Sequence, residues 1–200
     1  MKLIELNNAS KYYLNKTFNL KVNKHELLLV TGTNGSGKTT LIKLILGFIK
    51  PDNGKITYYK DIKFNYLPEK TSLPYFLTSY DYLYQISKLK NVSLNLKLLV
   101  DLDIPLYKKI AHLSKGNYQR VAIASTFIGN SDLIILDEPL SGLDTKTVNT
   151  LKRIIIKLKE EGKSIIISTH NPKVFEKLAT YHLKLWLNTF SVISLIKKWE

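Results

Sequence analysis

Cysteine is absent from the 200 residues, which excludes a disulfide framework and any thiolate metal site and fits a reducing compartment. Arginine is almost absent too. Arg120 and Arg153 are the only two, so the net charge of +14 is carried by lysines scattered along the whole chain. A nucleic-acid grip calls for cations clustered on one face among aromatics; this even scatter, with abundant Asn, Ile and Tyr, reads as compositional bias instead. No specific nucleic acid is therefore expected as a partner. An anionic lipid surface would still gain about 1 kcal/mol for each lysine lying close to it. Long apolar runs are missing as well: none reaches the roughly 18 residues of a membrane span, and the nearest, 183–196, is interrupted by Lys184, Asn188 and serines. Met1 to Leu6 has no extended apolar stretch, so no secretory leader is expected. With 44% hydrophobic residues the chain can bury a sizeable core as one domain, 1–200.

What is present is concentrated at Gly32-Thr33-Asn34-Gly35-Ser36-Gly37-Lys38-Thr39-Thr40. The apolar run Leu27 to Val30 precedes it and Leu41 to Leu46 follows, so strand, tight glycine turn and helix are read in that order. Glycines at 32, 35 and 37 let the backbone curl until successive N–H groups point inward, and the helix beginning near Lys38 adds the positive end of its dipole. This is a phosphate-binding loop. Lys38 is placed to reach the β- and γ-phosphates, and the Thr39 hydroxyl to bind Mg²⁺.

Upstream, Leu3 to Leu6 and Phe18 to Val22 alternate with period two, as antiparallel strands wet on one face do, whereas Leu27 to Thr31 reads as a central strand. Tyr13 lies between them; an aromatic there suits either adenine stacking or a strand-edge packing role. Downstream, a helix is expected over 38–49, strands over 55–59 and 62–67, and then a change of character. Residues 69–113 form short helices, 77–89 and 94–101, rich in aromatics (Tyr75, Phe76, Tyr80, Tyr82, Tyr84), which suits a small lobe core or a partner surface equally. The lobe is inserted in an α/β core made of 1–68 and 114–200.

Leu113-Ser114-Lys115-Gly116-Asn117-Tyr118-Gln119-Arg120 opens another helix with Ser114 at the N-cap, which is either an ordinary cap or a second anion site. Leu133 to Leu136 is wholly apolar and ends in Asp137-Glu138, as a parallel strand buried on both faces would at its ligand-bearing edge. Asp137 can hold Mg²⁺ through water, and Glu138 can act as general base on the attacking water. Ser141 to Asp144 is a turn, 145–161 an amphipathic helix, and 164–169 a further buried strand. His170 ends that strand at the same sheet edge, where it can donate to a γ-phosphate. A helix is expected from Pro172 to Leu178, and terminal strands over 181–187 and 190–193.

In this order the motifs resemble the nucleotide-binding subunits of ABC transporters over essentially the whole chain. They are an A-loop-like Tyr13, Walker A from Gly32 to Thr39, the signature from Leu113 to Arg120, Walker B from Leu133 to Glu138, the D-loop from Ser141 to Asp144 and the switch histidine His170. The resemblance implies a P-loop α/β core with a mainly parallel sheet, an N-terminal antiparallel β subdomain and the helical lobe. It also implies adenine stacking on Tyr13, ATP and Mg²⁺ as ligands, and pairing head to tail with a second copy or a related ATPase. Each ATP would then meet Ser114, Lys115, Gly116 and Asn117 of the opposite copy. A membrane permease is the implied partner and the cytoplasmic face of the membrane the implied location.

Two departures stand out. Glu69 occupies the lid position where the family has glutamine, as a further candidate for contacting Mg²⁺, and Lys115 and Asn117 replace the first glycine and the glutamine of the signature. Both look like variants of exporter ATPases, which implies export. A non-transport ABC-type ATPase acting on nucleic acid or ribosomes is the alternative. Such proteins are similar to fused pairs or carry long coiled coils between the Walker motifs, whereas only 99 positions separate Lys38 from Asp137.

Overall fold

A computed structural model describes residues 1–186 and 196–197. Strands β1 (Lys2–Ser10) and β2 (Thr17–Asn23) are antiparallel, and β2 alternates exposed and buried positions as a one-sided strand must. Next come β3 (Leu27–Gly32), α1 (Lys38–Ile45), β4 (Asn53–Tyr58) and β5 (Phe64–Leu67). The helices α2 (Ser79–Leu89) and α3 (Leu96–Asp101) lead to α4 (Lys115–Thr126). The chain continues through β6 (Leu133–Asp137), α5 (Thr145–Glu160), β7 (Ser164–Thr169), β8 (Tyr181–Leu185) and β9 (Ile196–Lys197).

Two sheets result. The smaller is antiparallel in the order β2-β1-β4; the larger runs β5-β6-β7-β3-β8-β9, parallel except for the β8–β9 pair. Strands β6 and β7 are buried at every position and β3 at all but Gly32, because the parallel sheet is covered on both faces. Alternate side chains enter different cores. Leu28, Val30, Leu133, Ile135 and Ile166 join α1 and the antiparallel sheet; Leu27, Leu29, Ile134, Leu136, Ile165 and Ile167 join α4 and α5. Register aligns the C-terminal ends of three strands, with Asp137 opposite Ser168 and Thr31 opposite Thr169, so residues following β3, β6 and β7 emerge along one edge.

Several boundaries differ from the sequence expectation. Helix α1 stops at Ile45 because Gly47 adopts φ 72°, a left-handed conformation that ends a helix readily. Pro172 starts only a three-residue 3₁₀ turn, Pro172–Val174, rather than a helix to Leu178. The strand expected over 181–187 ends at Leu185, and the one expected over 190–193 lies outside the described residues. The inserted segment has no core of its own: Leu73, Leu83, Leu98, Leu99 and Ile110 belong to the same apolar cluster as Leu67, Leu136 and Val121. Its aromatics divide, Tyr82 packing on that cluster while Tyr75 and Phe76 are exposed.

Candidate functional site

The loop between β3 and α1 is shaped by local sterics. A side chain at Gly32 would drive its Cβ into Ser36 and to 2.5 Å from the Leu185 carbonyl, and Gly37 takes φ 96° at the N-cap of α1. The first turn of α1 has no acidic residue and no side-chain cap. The other four described α-helices are all capped, by Thr78, Asn95, Ser114 and Asp144. An uncapped helix start with N–H groups facing a cavity is a site for anionic oxygens. That cavity, about 480 Å³, is lined by Tyr13, Leu14, residues 34–40, Glu69 and Glu138.

Lys38 is buried and donates to the carbonyls of Gly32 at 2.8 Å and Thr33 at 3.2 Å, while its Nζ lies 3.6 Å from Glu138 Oε1. Thr39 Oγ1 donates to Asp137 Oδ2 at 3.0 Å. Asp137 is fully buried, and its other oxygen accepts from Ser168 Oγ. The Glu138 N–H donates to the Ser168 carbonyl at 3.1 Å and to Ser168 Oγ at 3.2 Å. Glu138 itself adopts φ 50°, a left-handed conformation that costs a side-chain-bearing residue about 1–2 kcal/mol and gathers at functional sites. Its Oε2 takes the His170 imidazole at 2.8 Å, whereas its buried Oε1 has no hydrogen-bond partner; neither has the buried Ser36 hydroxyl. Burial, then the charges of Asp137 and Glu69, push the Tyr66 phenol up to about 12, so this nearby ring stays neutral.

These residues fit a nucleotide with Mg²⁺. No group of three or more carboxylates and histidines is arranged to hold a metal ion by itself among the described residues. One hydroxyl and one carboxylate in contact match a cation that keeps waters and takes phosphate oxygens as ligands. Glu138 Oε1, ion-paired with Lys38 but without a hydrogen bond, can accept from a water, and the unpartnered Ser36 hydroxyl can donate to a phosphate oxygen.

The model of the ABC transporter family matches residues 15–141. An uncharacterized ABC transporter ATP-binding protein of Methanocaldococcus jannaschii is 37% identical over 188 residues, 88% of this chain and 71% of that protein. The chain belongs to the ABC transporter ATP-binding family. The zinc import ATP-binding protein ZnuC of Rickettsia prowazekii is 35% identical over 162 residues, spanning 76% of this chain and 69% of that one. A solved ATP binding subunit of an ABC transporter superposes with a TM-score of 0.82 at 28% identity, covering 94% of this chain and 88% of that one. The fold of this ABC-type ATPase is thus the mixed α/β cassette with a small antiparallel sheet.

Tyr13 lies half-exposed at the cavity wall, edge-on to Tyr12 with ring centroids 5.3 Å apart. Glu69 lines both this cavity and a neighbouring one bounded by Thr33, Asn34, Glu138, residues 140–142 and 169–171. The imidazole of His170, expected at a phosphate, is engaged by Glu138 in this ABC ATPase. Ser114 caps α4 by accepting from the Asn117 N–H at 3.3 Å. Residues 114–117 line neither cavity. They pack instead on the D-loop: a Cβ at Gly116 would lie 2.9 Å from the Gly142 carbonyl. Asp144 caps α5 through the Thr147 N–H at 2.7 Å and pairs with Arg120 at 2.5 Å; the backbone and side chain of Thr147, ahead of the guanidinium, hold its carboxyl below the usual range.

Motif reading misses Ser168, Leu14 and Lys16, and it names Tyr118 only as a member of the signature, without its contacts to residues 71 and 73. Ser168 carries a faint signal, a hydroxyl interrupting the apolar run Ile165 to Ile167, but only the β6–β7 register puts it beside Asp137.

Proposed function

We propose that the chain hydrolyses ATP as one half of a head-to-tail pair and thereby drives a membrane permease. Lys38 and the N–H groups of residues 35–40 would hold the β- and γ-phosphates, and the Tyr13 ring would cover the adenine. Thr39 and Asp137 would hold Mg²⁺, with Glu69 facing it from the lid; the ion supplies charge neutralisation between the phosphates. Glu138 would accept a proton from the attacking water, oriented by His170, whose imidazole shares that carboxylate.

The observation that carries the pairing is the separation of Ser114 from the cavity of its own chain. Although Ser114 caps it, the α4 start still offers free N–H groups and a dipole to an anion that no ligand in the same chain would reach; a second copy would complete that site, so that binding energy closes the pair and hydrolysis reopens it. Exposed Tyr75 and Phe76 on the inserted segment suit the permease contact, which would place the ATPase peripherally on the membrane. ZnuC is named an import protein, so the expectation raised by Glu69, Lys115 and Asn117 narrows: export has no support among these relatives, and the proposal is limited to energising transport.

The test is Glu138→Gln. Hydrolysis should fall by at least about 100-fold, the scale of a lost general base, while ATP still binds and a nucleotide-dependent dimer accumulates on a sizing column. Undiminished turnover would remove Glu138 from this role.

A further inference from the structure

Of the lysines among the described residues, two are buried, Lys38 and Lys16. Lys38 has Glu138 beside it. Lys16, 5% exposed, has no carboxylate partner among the described residues; its ammonium donates at 2.6 Å to the Ser36 carbonyl in the phosphate loop, and burial pushes its pKa down. The contrast with Lys11, five residues earlier, is direct, since that side chain finds Asp52 at 2.6 Å. A buried cation left with one neutral carbonyl is costly unless a negative charge arrives nearby.

Geometry says where that charge would sit. The segment joining β1 to β2 crosses the loop. Tyr13 and Leu14 line the cavity, Leu14 standing 3.1 Å from where a Gly37 side chain would begin, and Lys16 reaches Ser36 without itself lining the cavity. Pulling the Ser36 carbonyl toward Lys16 leaves the N–H groups of the following residues to face the ligand, and the largely covered ammonium lies one loop away from the same anion, where solvent screens it less than a surface charge.

We propose that Lys16 is a positioning residue of the nucleotide site, a second cation that holds the phosphate loop from behind and whose counter-charge is the polyphosphate of the ligand. The proposal rests on the reading that this cavity takes ATP. It separates Lys16 from a merely structural lysine by two signs that oppose one another. Removing the charge relieves an uncompensated buried ion in the empty protein and weakens the filled one.

The experiment measures affinity for ATP, ADP and AMP by calorimetry, and melting temperature with and without ATP, for the wild type, Lys16→Met and Lys16→Arg. Lys16→Met should bind ATP about tenfold more weakly, the scale of one charge-assisted contact, with a smaller loss for ADP and least for AMP. Its melting temperature without nucleotide should equal or exceed that of the wild type, and the upward shift given by ATP should shrink. Lys16→Arg should recover most of the ATP affinity. Equal losses for all three nucleotides, or unchanged ATP affinity in Lys16→Met, would overturn the proposal. A wild type that fails to bind ATP would instead sink the reading beneath it.

Discussion

At Asp137 the protein satisfies a fully buried carboxylate by giving each oxygen a hydroxyl donor, Thr39 and Ser168, and it sets Glu138 immediately after in a strained backbone. A second buried group behind the same loop makes a measurable prediction. His182, on β8, shares a 2.7 Å hydrogen bond with the Thr31 hydroxyl. Burial first and Lys184 second lower its pKa from 6.5, against an opposing pull from Glu176. The unfolded chain therefore takes up a proton below about pH 6.5 that the native protein resists, so native stability is complete above that pH and declines as pH falls beneath it. Melting curves between about pH 7.5 and 5.5 should flatten in His182→Gln relative to the wild type. Identical slopes would mean the imidazole does not titrate in this way. Lys38, Thr39, Asp137, Glu138 and His170 were legible because short motifs name them. His182, Ser168 and Lys16 were not, because their partners lie 151, 31 and 20 positions away.

Among the elements, α4 links the most parts of the site. Its Tyr118 hydroxyl accepts from the Leu73 N–H at 2.6 Å and donates to the Thr71 carbonyl at 3.0 Å, hooking the segment that follows Glu69. Gln119 reaches the Pro139 carbonyl at 3.3 Å, and Arg120 pairs with Asp144 and Asp103. The helix start, the lid segment and the D-loop are thus tied by three consecutive side chains. Tyr118→Phe removes the only described partner of a backbone N–H on Leu73, itself 2% exposed, and should lower stability by about 1–3 kcal/mol in urea unfolding. No loss would show that the N–H finds another acceptor. Strands and long helices were readable from periodicity, since β3, β6 and β7 are apolar at nearly every position and Ser114 and Asp144 cap as their types suggest. The 3₁₀ turn at Pro172 was not, because proline suits the first turn of a long helix and of a short one alike.

For the whole molecule, residues 114–117 lie outside the lining of the ligand cavity, and under the proposed pairing activity would belong to the pair rather than the chain. Ser114→Arg should accordingly cut turnover by at least about tenfold while changing the affinity of an isolated chain for ATP by less than about threefold. Normal turnover would argue for a site complete within one copy. Two copies each carrying +14 would repel, and nucleotides trapped between them would bring compensating anions, so the proposed pairing should depend on salt as well as ATP. Composition foretold that charge but could not say that the inserted segment shares its apolar floor with the sheet, a relation made only by folding. A chimera that moved residues 69–113 onto a foreign scaffold would arrive with Leu73, Leu83 and Leu99 uncovered. If Tyr75 and Phe76 meet the permease as proposed, changing that partner would be a matter of exchanging such outer side chains one at a time, and not of transplanting the module.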